Sequence, residues 1–253
     1  EKTCELWYEK EFPEEVKEDE TAIPLRRLDN GRYEVSLPFM GETRPSYNFA
    51  YALQQAKRLK KRLMDQFLYD EYRQKIQDLV QEKHAEPTSM DEGFFIPHME
   101  VIRPEALSTK LRIVMNASCG KVSLNDLLWK GTAKNLDTLP HLLRFRTYRY
   151  YSIIDLKKAF LQIVIDPKDR KYQKFLWYDE KDELQIMQMT VLPFGLVSSP
   201  AILTAVIEDI VKQTPHEVQE LFTKSIYMDD IIVGGEDEER LLSYIQVARQ
   251  HFV

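Results

Sequence analysis

Two adjacent aspartates between two apolar runs constrain this chain more than any other feature. Asp229 and Asp230 separate the runs Ile226–Met228 and Ile231–Val233, and two glycines follow. Apolar runs of this length, bounded by turn residues, are typical of buried strands, so the segment predicts a tight hairpin with the carboxylates at its tip. Aspartate is also common in such turns for conformational reasons alone. A functional interpretation requires a cation such as Mg²⁺, which prefers hard oxygen ligands, and a third carboxylate from elsewhere.

The net charge of the whole chain hides a difference between its two ends, which are acidic, and its middle, which is nearly neutral. The net charge of the 253 residues is −6, but residues 1–29 carry −5 and residues 236–253 carry −2, which leaves +1 for residues 30–235. This middle part contains basic clusters at 57–62 and 168–174. Because charge runs are usually solvated faces, the clusters permit nucleic-acid binding without predicting it.

Other compositional features limit the class of protein. No apolar run approaches the length that a membrane-spanning helix needs, so we expect no such helix. Cys4 and Cys119 are far apart and lack metal-ligand spacing, which favours a reducing intracellular setting. The chain begins with Glu1 rather than Met and is expected to be a piece of a longer protein, with residues 1–30 as an acidic lead-in.

Hydrophobic periodicity predicts an α+β fold. The predicted helices are Tyr47–Phe67, Tyr69–Lys83, Leu139–Phe145, Ala201–Lys212 and Asp237–Phe252. The predicted strands are Arg32–Leu37, Phe94–Pro97, Glu100–Arg103, Lys110–Met115, Tyr150–Ile154, Phe175–Trp177 and Leu184–Met189. The order from Tyr150 onward resembles a split βαβ sheet with helices on one face, in which strand ends from different hairpins are neighbours. Such a sheet could bring Asp155 beside Asp229, although the two aspartates are far apart in sequence.

Two further segments have the composition of a binding site. Asp155 directly follows a predicted strand, and the residues from Leu156 to Phe160 supply turn amides, two lysines and an aromatic ring. By itself, an aspartate at a strand end can equally be an incidental terminus. The second segment, Leu192–Pro200, is a predicted loop that enters a helix, with Ser199 as the cap and Pro200 in the first turn.

These segments, in this order, resemble the palm of a reverse transcriptase. The resemblance rests on Tyr227-Met228-Asp229-Asp230, on Asp155 with Phe160, on Leu192-Pro193-Phe194-Gly195 with Ser199-Pro200, and on Lys110-Leu111-Arg112. Four motifs in one order are far more specific than any one of them. Upstream stretches look most like the BEL/Pao class of long-terminal-repeat retrotransposons: Arg32–Phe39, His84–Pro87, Pro97-His98, Lys110–Val114 leading to Asn116–Ser118, and Ser123–Asp126. Asn116 departs from the family, which usually has Asp there.

The resemblance implies an RNA-directed DNA polymerase that adds dNTPs to a primer 3′-hydroxyl on an RNA or DNA template. Two Mg²⁺ ions, for which Mn²⁺ can substitute, would serve a phosphoryl transfer in which charge neutralisation and positioning matter most. The implied catalytic residues and metal ligands are Asp155, Asp229 and Asp230, with the Leu156 backbone carbonyl as a further ligand. The implied dNTP contacts are Lys110, Arg112, Leu156, the Lys158 and Ala159 amides, Phe160 as a steric gate against a 2′-hydroxyl, Phe194 and Gly195. Tyr227 and Met228 would contact the primer end.

The resemblance also implies an architecture and a setting. We expect the fingers and palm of a right-hand polymerase fold, with an N-terminal extension and fingers over 31–149 and a palm over 150–253 that contains fingers insertions around 166–190. The sequence ends at Val253, shortly after Asp230, so the primer grip, thumb and ribonuclease H region are expected to be missing, and the fragment to be weak or inactive. The implied partners are primer-template, dNTPs and the remaining Pol polyprotein, including protease and integrase. The implied setting is cytoplasmic virus-like particles, away from membranes, and the implied biological role is the life cycle of a transposable element, which includes DNA integration.

Two alternatives remain open at this point. A degenerate or domesticated remnant could use the same fold to bind nucleic acid or protein without catalysis. An RNA-templated RNA polymerase also uses a split carboxylate site, but Phe160 disfavours it because a bulky ring would clash with a ribose 2′-hydroxyl. Acceptance of ribonucleotides would distinguish that enzyme from a reverse transcriptase.

Overall fold

The computed structural model describes residues 23–102, 111–131, 138–227 and 230–252. Most of the predicted acidic lead-in, the predicted turn at 104–109 and the aspartate Asp229 lie outside these ranges. The described residues form α-helices α1 (Phe49–Asp65), α2 (Tyr69–Gln81), α3 (Leu124–Leu127), α4 (Thr138–Phe145), α5 (Ser199–Lys212), α6 (His216–Thr223) and α7 (Glu238–His251). Short 3₁₀ turns occupy Ala159–Gln162 and Arg170–Gln173.

The strands of the described residues belong to four small sheets. They are β1 (Leu25–Arg27), β2 (Tyr33–Val35), β3 (Ala85–Pro87), β4 (His98–Ile102), β5 (Leu111–Met115), β6 (Tyr150–Asp155), β7 (Val164–Ile165), β8 (Lys174–Tyr178), β9 (Leu184–Met189), β10 (Ile226–Tyr227) and β11 (Asp230–Gly235). The sheet orders are β1-β2-β7, β3-β9-β8, β4-β5 and β10-β11-β6. The predicted mixed α and β content is confirmed.

The chain divides into two compact units. The first unit comprises Glu1–Ile23, Ala133–Asp155 and Ile207–Val253, and the second comprises Pro24–Thr132 and Leu156–Val206. Both units are discontinuous in sequence, and the chain passes from one to the other between Asp155 and Leu156. The predicted fingers and palm segments are a division by function and stay predictions.

The first unit is organised around the three-stranded sheet β10-β11-β6. Strand β11 pairs antiparallel with both neighbours, so β6 and β10 run in the same direction on either side of it. Helices precede β10 and follow β11 along the chain, which is the order of a split βαβ unit. Helices α4, α6 and α7 contact β11, and Ile231 and Val233 of this strand are fully buried.

The second unit packs helix α1 against the hairpin β8–β9. The buried face of α1 carries Ala52, Ala56, Leu59 and Leu63, which recur at helical spacing. Both alanines belong to a hydrophobic cluster with Phe95, Leu176 and Tyr178. The small alanine side chains allow the helix to lie close to the β8 strand, whose five residues are all buried. The hairpin therefore forms on the core side of α1, as the apolar pattern predicts.

Several elements differ from the sequence predictions for identifiable reasons. The sequence predicts a strand at residues 94–97, but only Phe95 makes a bridge, to Lys174, because Asn48 occupies the backbone amide and carbonyl of Phe95. Strand β3 was missed because it has only three residues and contains a proline. Helix α6 was missed because it is short and follows directly on α5.

His98 on β4 is buried in an uncharged state. Its Nε2 lies 2.9 Å from the carbonyl oxygen of Leu176, which can only accept, so Nε2 carries the proton. The Tyr72 hydroxyl therefore donates to Nδ1 over 2.6 Å. Burial lowers the pKa of His98 to about 4, and the hydrogen bond to the Leu176 carbonyl, with the nearby Glu100, opposes this shift only partly.

The buried His98 predicts acid sensitivity. Between pH 6.5 and 4 the unfolded chain binds a proton at His98 and the folded chain does not, so stability is full above 6.5 and falls as the pH decreases. The expected slope is about 1.4 kcal/mol per pH unit in this window. Urea unfolding of wild type and His98→Gln at several pH values measures it, with the exposed His216→Gln as the control. Equal slopes in wild type and His98→Gln would contradict the prediction.

No helix among the described residues is long and apolar enough to cross a membrane.

Candidate active site

The register of the first unit's sheet brings two of the predicted catalytic carboxylates together. Asp155, the last residue of β6, is the direct partner of Asp230, the first residue of β11. The Cα atoms of residues opposed in this way lie about 5 Å apart, and their side chains project to the same face. The pairing continues through Ile154 and Ile231 to the other end of both strands, so hydrophobic burial fixes the register that opposes the two charges.

The face that carries these carboxylates is the more exposed face of the sheet, although α4 reaches part of it, where Phe145 contacts the Tyr151 ring. Side chains alternate between faces along a strand, so Asp155 shares its face with Ile153 and Tyr151. All three side chains are exposed, whereas Ser152 and Ile154 are partly buried. Tyr227 is the strand partner of Asp230 across the β10–β11 hairpin, and its ring contacts His141 of α4. Asp229 and Met228, the two residues that connect the hairpin, lie outside the described residues.

Asp155 and Asp230 have the donor chemistry of a magnesium site. Carboxylate oxygens are the ligands that Mg²⁺ prefers, and the two side chains share an exposed face where water and phosphate oxygens can complete the coordination. Within the described ranges no group of three histidine, cysteine, aspartate or glutamate residues could hold a metal ion. The third predicted ligand, Asp229, is adjacent in sequence to Asp230. The carboxylates of this chain are therefore chemically suited to hold Mg²⁺.

The turn that follows Asp155 belongs to the second unit. Lys158 adopts a left-handed conformation with φ of 53°, and the Ala159 amide donates to the Leu156 carbonyl over 3.2 Å. These are the predicted phosphate-binding amide and the predicted metal-binding carbonyl. The carbonyl oxygen keeps a second lone pair for a cation, whereas a phosphate would have to replace the long hydrogen bond of the amide.

The Lys158 side chain is held by a residue that the sequence analysis did not identify. Its Nζ donates to both carboxylate oxygens of Glu82, at 2.5 and 2.6 Å. Glu82 also lies 3.2 Å from Nδ1 of His84, and burial lowers the pKa of that imidazole. The ion pair joins the turn to the end of α2, and neither residue type nor spacing predicts a contact across 76 positions.

Two aromatic rings of the predicted nucleotide pocket are in contact. Phe160 is 7 % exposed and meets Phe194 edge to face, with 4.7 Å between ring centroids. Phe194 is 42 % exposed, so it forms the accessible part of the pair. The Met115 amide donates to the Phe194 carbonyl, which joins this loop to the end of β5. Arg112 is exposed on the same strand, and the predicted site residue Lys110 lies outside the described ranges.

Gly195 permits the close approach of this loop to β5. Its φ is +110°, and a Cβ atom there would lie 1.8 Å from the Met115 carbonyl oxygen. Asn125 holds the same loop from the other side: its amide nitrogen donates to the Gly195 carbonyl, and its amide oxygen accepts from the Val197 backbone. Asn125 was part of a recognised motif, but its role could not be derived from the motif.

The predicted cap of α5 is wrong in detail. Ser199 is the first residue of the helix rather than its cap, and its hydroxyl donates 2.9 Å to the Pro193 carbonyl. The serine therefore closes the loop that contains Phe194 and Gly195 on itself.

Comparison with protein families decides the family to which the chain belongs. Residues 105–253, more than half of the chain, match the model of the family described as reverse transcriptase (RNA-dependent DNA polymerase). The chain belongs to the reverse transcriptase family.

Relatives of this reverse transcriptase region are viral polyproteins. The chain is 30% identical over 100 residues to the Gag-Pro-Pol polyprotein of Mason-Pfizer monkey virus. The aligned residues cover 39% of the chain and 6% of the polyprotein. The chain is 27% identical over 99 residues to the Pro-Pol polyprotein of feline foamy virus, or 39% of the chain and 8% of that polyprotein. The chain thus spans less than a tenth of the curated relatives that it matches.

Solved structures share the fold of this reverse transcriptase region. A foamy viral protease–reverse transcriptase in complex with double-stranded DNA aligns with a TM-score of 0.55 and 20% identity, over 91% of this chain and 33% of that one. The native protease–reverse transcriptase of prototype foamy virus aligns with a TM-score of 0.51 and 18% identity, over 85% and 24% of the two chains. At these identities the likeness concerns the fold.

Proposed function

We propose that this chain is the fingers and palm region of an RNA-directed DNA polymerase, encoded in the Pol polyprotein of a BEL/Pao-like retrotransposon. The observation that carries the proposal is the register that opposes Asp155 and Asp230 on the more exposed face of a sheet, with Asp229 adjacent to Asp230 in sequence. Family membership supports the reaction class. The BEL/Pao part of the proposal rests on the resemblance of the upstream motifs at 32–39 and 84–87, which precede the region that the family model matches.

The carboxylates would act as the metal ligands of the reaction. Asp155, Asp229 and Asp230, with the Leu156 carbonyl, would hold two Mg²⁺ ions, for which Mn²⁺ can substitute. When bound, these ions supply charge neutralisation at the primer hydroxyl and at the leaving pyrophosphate. The exposed face of Asp155 leaves space for the primer end, which Tyr227 and Met228 would contact from the hairpin.

The second unit would bind and select the nucleotide. Lys110 and Arg112 would contact the triphosphate, while the amides of Lys158 and Ala159 would hold its outer phosphates. Phe160 would stack beneath the sugar and exclude a 2′-hydroxyl, and Phe194 with Gly195 would line the pocket beside the templating base pair. The contact between Phe160 and Phe194 supports this assignment, because one ring can set the position of the other.

The proposal includes a setting and partners. Primer-template and dNTPs are the substrates, and the rest of the Pol polyprotein, with thumb, ribonuclease H, protease and integrase, would complete the enzyme in virus-like particles. The DNA in the structure of the foamy viral relative supports nucleic acid as a partner of this region.

Primer extension tests the proposal directly. The polyprotein-encoded enzyme that contains this region, supplied with poly(rA)/oligo(dT), dTTP and Mg²⁺, is expected to extend the primer. Chelation of the metal, or the substitution Asp229→Asn, should remove the extension. UTP in place of dTTP should be a poor substrate. A folded enzyme that binds the duplex but never extends it would refute the proposal and favour a non-catalytic binding module.

A further inference from the structure

An arginine far away in sequence holds the turn that contains Phe160. The guanidinium of Arg32 donates from Nε to the Gln162 carbonyl over 2.9 Å and from Nη2 to the Leu161 carbonyl over 2.8 Å. These contacts bridge 129 and 130 positions of sequence within the second unit. A planar guanidinium presents several donors in a fixed arrangement, so it can bind two neighbouring carbonyls at once, which a lysine cannot.

The two carbonyls need an external donor because they lie at the end of a short 3₁₀ turn. Within the turn, the Ile163 amide donates to the Phe160 carbonyl over 3.1 Å. The carbonyls at the end of a helical turn lack partners inside it, and arginine side chains can satisfy them. Arg32 therefore closes the C-terminal end of the turn 159–162.

Strand pairing fixes the place of Arg32. Strands β2 and β7 are parallel, with Glu34 opposite Val164 and Val35 opposite Ile165. Arg32 precedes Glu34 by two residues, as Gln162 precedes Val164. The Arg32 backbone is itself held in the β1–β2 turn, because its carbonyl accepts from the Leu28 amide. Partial burial lowers the pKa of the guanidinium, in agreement with a side chain that has left bulk water.

The turn determines where the Phe160 ring lies. Phe160 is the second residue of the turn, and its ring is buried against Phe194. We propose that Arg32 is a positioning residue for nucleotide selection: by binding the Leu161 and Gln162 carbonyls, it holds the Phe160 ring at the height that separates a deoxyribose from a ribose. The inference rests on the proposed function and adds a role for the segment before the family match. Arg32 itself does not touch the substrate.

Two variants and two controls test this role. In primer extension by the polyprotein-encoded enzyme, Arg32→Ala and Arg32→Lys should lower the ratio of kcat/KM for dTTP over UTP by roughly tenfold, the order expected from losing hydrogen bonds of a charged donor. The loss should come from a higher KM for dTTP and a faster use of UTP, with kcat for dTTP within about twofold. Arg26→Ala removes a charge from the same hairpin, where Arg26 pairs with Glu34, and should keep the wild-type ratio. Gln162→Ala should also keep it, since only the carbonyl of that residue is used.

A structural readout accompanies the kinetics. Hydrogen exchange of the Ile163 amide should be faster in Arg32→Ala than in wild type or Arg26→Ala, because the turn it closes opens more often. If Arg32→Ala extends the primer with the wild-type selectivity, or differs from Arg26→Ala only in overall stability, Arg32 is not a positioning residue. The proposed polymerase function is unaffected by that outcome. If the wild-type enzyme does not extend the primer, or if Asp229→Asn extends it equally well, the proposed function is refuted and the role of Arg32 with it.

Discussion

Replacement of Asp155 by Asn is expected to abolish primer extension and, at the same time, to stabilise the metal-free protein. Asp155 and Asp230 are direct partners across β6 and β11, and like charges opposed in a sheet destabilise it. Removing one charge should raise the free energy of unfolding in EDTA by about 0.5 kcal/mol. The same change removes a proposed metal ligand, whose contribution would be several kcal/mol, so extension should fall roughly a thousandfold or more.

Three measurements separate the two effects. Urea unfolding in EDTA measures the stability, and primer extension in Mg²⁺ measures the rate. Thermal unfolding with added Mg²⁺ measures whether the metal binds the folded protein. Added Mg²⁺ should raise the unfolding midpoint of wild type but not of Asp155→Asn. Asp29→Asn changes an exposed aspartate in the β1–β2 turn and should affect none of them. Extension at a wild-type rate in Asp155→Asn would show that this carboxylate is not a catalytic ligand.

The substitution Gly195→Ala should cause a large loss of stability although it adds only one methyl group. The added Cβ would lie 1.8 Å from the Met115 carbonyl oxygen and 2.9 Å from its carbon, and φ is +110°. Both obstacles are backbone atoms or backbone conformation, so no side chain can move aside to relieve them. We expect a loss of about 3 kcal/mol in the free energy of unfolding.

A matched glycine controls for the generic effect of the change. A Cβ at Gly41 would meet nothing within 4 Å, and Gly41→Ala should shift the free energy of unfolding by no more than about 0.5 kcal/mol. The two variants are compared by urea unfolding at pH 7. Because Gly195 follows Phe194, dTTP binding should weaken in Gly195→Ala but not in Gly41→Ala. Equal stability of the two variants would mean that the loop relaxes away from β5 without cost.

Local patterns predicted the elements whose residues repeat with a clear period. Helices α1 and α2, the hairpin β8–β9 and helix α7 all follow from apolar spacing, and Asp237 accepts from the Arg240 amide at the start of α7. A split sheet predicts Asp155 beside Asp229, which lies outside the described residues, and the structure opposes Asp155 to Asp230, the next residue in sequence. Short strands such as β3 could not be predicted, because three residues contain no measurable period.

The contacts that position the candidate site were beyond prediction for a different reason. Arg32 reaches carbonyls 129 and 130 residues away, Lys158 pairs with Glu82, and Asn125 holds the Gly195 loop. Each depends on tertiary neighbours rather than on the residue types around it. Two of the three use backbone carbonyls as partners, and every residue has a carbonyl, so the sequence contains no signal for them.

The separation of β6 from its partner has a consequence for synthesis on the ribosome. Asp155 leaves the ribosome long before Asp230, so β6 exists as an unpaired strand while the rest of the second unit is made. Its more exposed face carries Tyr151 and Ile153, and an unpaired apolar strand is a template for association with other chains. Nascent chains from which β6 has emerged but β11 has not should therefore aggregate or recruit chaperones, whereas chains with both strands outside the ribosome should not.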